Sequence, residues 1–266
     1  MKMTSRLALK RFGLEEQFRQ VQERMLNMPS HPNVVNIHEV WEDDSFFYVV
    51  MEKVNGGSLF GSLVNEFKDG CMPAAAVKQV MRDILEAVKH VHGQGMLHRD
   101  IKPDNLVMKL PVGAGTRGST RALQKSVVLV DFDHAHPDWN PIACAREFGQ
   151  VFGTLRFNAP EVIRGYFSPQ GDLYSVGVIL YLLMTGSFPF CDDVYSPCTS
   201  AMPEPVWSRP SLIAVEERMR EARVNFESGA WLEQPHCADL CRRLLAFDPK
   251  QRPTTAREAL QHPWFN

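Results

Sequence analysis

The chain has 266 residues, 44% hydrophobic and 23% charged, which suits a globular protein with a substantial core and excludes a disordered or fibrous one. A formal net charge of −2 offers no bulk attraction to nucleic acid, so no nucleic-acid partner is expected. Six cysteines scattered without a CxxC pair, a polar opening from Met1 to Arg6, and a longest apolar run (Val176 to Met184) roughly half a bilayer span together predict reduced thiols, no membrane partner and a cytoplasmic or nuclear address.

Leu7-Ala8-Leu9-Lys10 reads as a short strand, and Leu14 to Met28 as a helix with Phe18, Val21, Met25 and Met28 at three- and four-residue spacings. Pro29 and Pro32 end it. Asn33 to Val40 and Phe46 to Glu52 read as two strands joined by the acidic turn Glu42-Asp43-Asp44. Beyond Gly56-Gly57 the chain turns helical. Val77, Val80, Met81, Ile84, Leu85, Val88 and Val91 form one apolar stripe, with Pro73 near its start and Gly93 and Gly95 past its end. Strand-like runs at Asn105 to Lys109 and Val127 to Val130 flank a Gly/Ser/Thr loop carrying Arg117, Arg121 and Lys125, a solvated connector.

Asp172 to Met184 is apolar nearly all round and predicts a buried central helix. The proline-rich stretch 191–211 predicts an irregular surface insertion. Helices resume at Leu212 to Ala222 and Ala238 to Ala246, and Thr255-Ala256-Arg257-Glu258 has capping-box spacing before the closing His262-Pro263-Trp264-Phe265. Strands early and helices late predict a segregated α+β fold.

The chemistry concentrates in His98-Arg99-Asp100-Ile101-Lys102-Pro103-Asp104-Asn105. One short loop carries a carboxylate, an ammonium and a carboxamide. Asp100 can take or orient a hydroxyl proton, Lys102 can neutralise charge on a transferring phosphoryl group, and Asn105 can offer an oxygen to Mg²⁺. At Val130-Asp131-Phe132-Asp133 a strand ends in a second carboxylate able to bind the same metal. Phosphoryl transfer asks mainly for positioning and charge neutralisation, which these groups supply.

These residues, in this order, resemble the protein kinase family. His98 to Asn105 resembles its catalytic loop, Asp131-Phe132-Asp133 stands where the family keeps Asp-Phe-Gly, and Ala159-Pro160-Glu161 resembles the end of its activation segment. Asp172 matches the buried aspartate that holds the catalytic-loop backbone, and Arg252 the arginine that pairs with Glu161. Lys102 resembles the serine/threonine class. The segments from Val50 to Phe60 and from His262 to Phe265 are most similar to the calcium/calmodulin-dependent kinase group, although no EF-hand loop is present to indicate direct calcium control.

The resemblance implies a bilobal fold, with a truncated β-rich small lobe at residues 1–54 and a complete helical lobe at 55–266 carrying insertions near 110–126 and 191–211. It implies ATP and Mg²⁺ as cofactors and a protein substrate with Ser or Thr hydroxyls. Asp100 is then the base, with Lys102 and Thr154 beside it, and Asn105 and Asp131 the metal ligands. Lys10 anchors the phosphates, Met51 is the gatekeeper, the Glu52 and Val54 backbone meets adenine, and Ala8 and Leu106 sandwich the ring. Oligomeric state is left open.

Several residues depart from the family pattern. With Lys10 as anchor, only nine residues precede it, so the glycine-rich hairpin over ATP is expected to be missing. The string Gly113-Ala114-Gly115-Thr116-Arg117-Gly118 follows the catalytic loop and reads as a connector. The helix glutamate that pairs with the anchoring lysine falls at Gln22. Glu23 is adjacent but about 100° around the helix, so Glu23 is either a partner after a one-residue shift or a solvated charge. Asp133 replaces a glycine, which either sharpens Mg²⁺ binding or stiffens the segment. No Ser, Thr or Tyr occurs between Asp131 and Gly153, and Glu147 is expected as a permanent negative partner for Arg99. Ser58 stands where many relatives keep an acid, against a simple basic-substrate preference. His134 and His136 read as loop polarity, Cys237 and Cys241 as buried thiols. Two functions stand at this point: a protein serine/threonine kinase, or a pseudokinase-like interaction scaffold.

Overall fold

In a computed structural model the described residues are 1–67, 71–110, 126–140, 153–196, 209–227 and 229–266. The Gly113 to Gly118 string, the cations at 117, 121 and 125, Cys144, Glu147 and most of the 191–211 insertion lie outside them.

The chain opens on strand β1 (Lys2–Ser5), and Leu7 to Lys10 belongs to helix α1 (Arg6–Arg11) rather than to a strand. Ser5 caps α1, its hydroxyl accepting the Ala8 N–H at 3.4 Å, and the sequence RLALKR consists of strong helix formers with basic residues in the last turn. Helix α2 (Glu15–Asn27) buries Phe18, Val21, Gln22 and Met25, the i, i+3, i+4, i+7 face. Strands β2 (Ile37–Glu42) and β3 (Phe46–Met51) follow, and the three strands form an antiparallel sheet in the order β1-β3-β2, with Lys2 opposite Val49. Asp43 makes the β2–β3 turn by accepting the N–H groups of Ser45 and Phe46 at 2.7 Å each.

The short helix α3 (Leu59–Glu66) is capped by Ser58. Helix α4 (Ala74–Gly93) buries the predicted apolar stripe. Between α4 and the hairpin β4 (Leu106–Lys109) and β5 (Ser126–Leu129) runs the 98–105 loop. The short helix α5 (Pro160–Ile163) follows. Helix α6 (Pro169–Thr185) begins three residues before the sequence pattern suggested, because Pro169 occupies its first turn. Every residue from Gly171 to Met184 is buried, so α6 is the axis of the helical part. Helices α7 (Asp192–Tyr195), α8 (Arg209–Glu221), α9 (Gly229–Leu232), α10 (Pro235–Leu244) and α11 (Ala256–Leu260) complete the chain. Thr255 caps α11 through the Glu258 N–H, as its spacing predicted.

The sheet and the helical part join at the His31-Pro32-Asn33 corner. Asn33 Nδ2 donates to the Val127 carbonyl at 2.8 Å, and backbone bonds run from Leu129 to Asn33 and from Val35 to Leu129. That junction places α2 and the end of β3 against the residues that follow β5.

Candidate active site

Asp172, in the first turn of α6, organises the 98–105 loop. Its buried carboxylate accepts the backbone N–H groups of His98 and Arg99 at 2.9 Å each, and His92 Nε2 lies 2.8 Å away. These bonds hold Arg99 at φ +66°, a left-handed conformation uncommon for a residue with a side chain. Burial would raise the Asp172 carboxyl, but its hydrogen bond with His92, the charges of His92 and His98, and the His98 amide hold it below the ordinary range. The Arg99 guanidinium donates to the His134 carbonyl at 2.6 Å and lies over the Phe167 ring at 5.0 Å.

The same loop draws four of the sequence-predicted residues together. Lys102 Nζ lies 2.8 Å from Asp100 Oδ2 and donates to Thr154 Oγ1 at 2.9 Å. The Thr154 hydroxyl donates to Asp100 Oδ1 at 3.1 Å. Asn105 Nδ2 donates to the Asp100 carbonyl and to Asp100 Oδ2 at 2.9 and 3.0 Å. Asp100, Lys102, Asn105 and Thr154 thus form one closed network around a carboxylate only 5% exposed. Gly153 permits the approach of Thr154: its φ is +80°, and a Cβ there would lie 2.4 Å from the Arg99 carbonyl oxygen. On the far side of the segment, Arg252 grips Glu161 with two bonds of 2.6 and 2.9 Å.

Asp131 is tied to this network through its neighbour. The Val130 N–H donates to the Asn105 carbonyl at 2.9 Å, and Val130 O lies 3.1 Å from His98 Nε2. Asp131 itself sits at φ +62°. Beside it opens a cavity of about 260 Å³ lined by Lys2, Gln22, Val35, Ile37, Val49, Met51, Val130, Asp131, Phe132 and Asp133. One end is apolar and the other charged, as a purine with a phosphate tail requires. Lys2 Nζ lies 2.7 Å from both Asp131 Oδ1 and Asp133 Oδ2. Burial alone would lower the Lys2 amine, but the two carboxylates outweigh it and raise it. Burial pushes Asp133 up, while Lys2, hydrogen-bonded to Asp131, offsets burial there and holds Asp131 down.

Three expectations are corrected by these placements. Lys10 is on α1, half exposed, 3.8 Å from Glu15, and the lysine in the cavity is Lys2. Ala8 is on α1 as well and is not among the residues lining the cavity. Glu23 is exposed, whereas Gln22, on the buried face of α2, lines the cavity. Met51 lines it. Leu106 is fully buried beside the 98–105 loop and Val54 is half-buried; neither they nor Glu52 are among the residues lining the cavity. The Glu52 carboxylate accepts the Asn36 N–H and pairs with Lys109 at 3.0 Å. Lys2 was missed because Leu7 to Lys10 supplied an apolar run ending in lysine. The signal against that choice was local: Ser5 followed by six residues of high helix propensity is a helix start.

The donors fit a nucleotide carrying a hard divalent cation. Asp131 offers a carboxylate, and Asn105, with Nδ2 engaged, turns its carbonyl oxygen away from the Asp100 bonds. Among the described residues, no helix is long and apolar enough to cross a membrane.

With this geometry in place, comparison with known proteins is unambiguous. The family model described as protein kinase domain matches residues 3–265. Calcium-dependent protein kinase 7 of Arabidopsis thaliana is 32% identical over 251 residues, covering 94% of this chain and 40% of the relative. CDPK-related kinase 7 of the same plant is 30% identical over 268 residues, 99% of this chain and 39% of the relative. Serine/threonine-protein kinase PEPKR2 is 31% identical over 255 residues, 95% and 46%. The chain belongs to the protein kinase family, with serine/threonine kinases among its relatives. It spans about 40% of the length of the first of these relatives.

Proposed function

We propose that this protein transfers the γ-phosphate of ATP to Ser or Thr hydroxyls of protein substrates. The observation that carries the proposal is the closed network in which Asp100, Lys102, Asn105 and Thr154 bond one another beside the Asp131 turn. Asp100 Oδ2 and Oδ1 are held toward an incoming hydroxyl, and accept or orient its proton. Lys102, already spanning Asp100 and Thr154, neutralises charge on the phosphoryl oxygens. Thr154 fixes the rotamer of both. Asn105 and Asp131 are the residues for Mg²⁺, which when bound neutralises the β- and γ-phosphates. Lys2, rather than Lys10, is the amine placed for the phosphates. Met51 bounds the adenine end, with the Glu52 and Val54 backbone and Leu106 beside it. Residues up to about 54 form the small lobe and the rest the helical lobe.

The test is transfer of labelled phosphate to Ser/Thr peptides by the purified protein with Mg²⁺. Transfer is expected, and Asp100→Ala should reduce it by roughly 10²–10⁴-fold. Full activity in that variant refutes the role given to Asp100.

Gln22 in the cavity, a neutral side chain where the family places an acid, favours a second reading as a nucleotide-poor scaffold. A Mg·ATP thermal-shift titration separates the two, because a ligand of the folded state must raise the melting temperature. The buried thiols suit a reducing cytoplasmic or nuclear setting: burial pushes Cys237 up to about 12 and holds Cys241 well above the ordinary thiol range.

A further inference from the structure

Kinases of this family fix the phosphate-anchoring lysine with a glutamate from the following helix. Here that helix is α2, and the side chain it turns into the cavity is Gln22, 4% exposed and without charge. We infer that Asp133 is the positioning residue for Lys2, supplying from the segment after β5 the anion that α2 lacks. This inference rests on the kinase reading of the cavity.

The other carboxylates nearby are committed elsewhere. Glu15 pairs with Arg6 at 2.7 Å, Arg19 holds Glu16 and Glu42 at 3.1 and 2.9 Å, and Glu52 pairs with Lys109. Glu23 faces solvent. Lys2 Nζ instead has its two short contacts with Asp131 and Asp133. Asp131 alone cannot be its lasting partner, because a carboxylate turned to a divalent cation no longer neutralises an ammonium group. Asp133 is the anion that stays.

The backbone accommodates this arrangement without strain at residue 133. The left-handed residue in the turn is Asp131, not Asp133, so a Cβ where the family keeps glycine meets no conformational penalty. Nor does α2 need an ion pair with the lysine to be held in place. Gln17 Nε2 donates to the Ala135 carbonyl at 2.9 Å and Arg24 Nε to the Pro137 carbonyl at 3.0 Å. The helix is thereby docked on the same segment that carries Asp133. One stretch of chain, 131–137, offers the proposed metal ligand, the lysine's anion and the seat for α2.

Calorimetric binding of ATP, with Mg²⁺ and in EDTA, and of adenosine tests the assignment on wild type, Asp133→Gly, Gln22→Glu and the double variant. Melting curves verify that each variant is folded. Asp133→Gly should weaken ATP roughly five- to tenfold both with and without the metal and leave adenosine unchanged, since only the phosphates meet Lys2. Adding Gln22→Glu should restore most of the loss by giving the lysine its anion from α2. Unchanged or tighter ATP binding in Asp133→Gly overturns the inference, as does a folded double variant without recovery. A loss confined to Mg²⁺ overturns it in favour of Asp133 as a metal ligand. Phosphate transfer is measured separately. A protein showing these binding ratios but no transfer refutes the kinase reading and supports the positioning of Lys2, and a wild type that binds no ATP overturns both.

Discussion

Replacing Asp172 by asparagine removes one carboxylate oxygen from beneath the 98–105 loop and puts an NH₂ group in its place. The carboxylate accepts two backbone N–H groups at 2.9 Å from a site 4% exposed. Asparagine can accept only one of them through Oδ1, and the other meets a donor. Orphaning a buried N–H costs about 1–3 kcal/mol, and loss of charge assistance on the remaining bond adds about 1 kcal/mol. A total of about 2–4 kcal/mol corresponds to a fall in Tm of roughly 5–15 °C for a chain of this size. The strained φ of Arg99 depends on the same two bonds, so amide exchange at His98 and Arg99 should accelerate and kcat should fall more than ATP affinity. The pH dependence gives an independent measure. Because the carboxyl is held below its unfolded value of about 3.9, its stabilisation is complete above that value and is lost as pH falls through the lower folded value. Between about pH 5 and pH 2 the wild type should therefore lose more stability than Asp172→Asn. An unchanged Tm together with unchanged exchange at residues 98 and 99 would refute the assignment of this carboxylate as the loop's anchor.

Thr154→Val deletes the hydroxyl that bridges Asp100 and Lys102. It should lower kcat on the order of tenfold with little change in KM for ATP, and steady-state kinetics showing less than a twofold effect would count against the bridge. Gly153→Ala forces a Cβ to within 2.4 Å of the Arg99 carbonyl oxygen at a positive φ. A destabilisation of about 2–3 kcal/mol is expected, read as a lower Tm and a matching loss of activity. No Ser, Thr or Tyr lies between Asp131 and Gly153, and the Thr154 hydroxyl is engaged with Asp100. Phosphatase treatment, followed by mass spectrometry of that segment, should leave activity within about twofold of the untreated protein.

Much of the helical part was legible in the sequence because its signals are local or periodic. The apolar stripe of α4 repeats every three to four residues, α6 is apolar all round, and Thr255-Ala256-Arg257-Glu258 carries its own cap. The loop from His98 to Asn105 was legible for another reason. Its carboxylate, ammonium and carboxamide lie between residues 100 and 105, so their chemistry can be read before their geometry is known. Thr154 lies 54 residues from Asp100 and could be placed beside it only through resemblance to the family.

The lysine shows where such reading stops. A lysine at the end of an apolar run is compatible with a strand or a helix, and Lys10 looked right because Leu7, Ala8 and Leu9 precede it. Two facts decide otherwise. Ser5 caps a helix through those residues, and Lys2 lies opposite Val49 in the sheet, which aims its side chain into the cavity that Val49 and Met51 line. The second fact is a cross-strand register between residues 47 positions apart, which no local pattern reports. Once Lys2 is the cavity lysine, the departures at positions 22 and 133 cease to be independent. Position 22, where α2 lacks an acid, lines the same cavity as Lys2, and the acid gained after Phe132 lies 2.7 Å from that lysine, so the site retains an anion for its lysine by a different route.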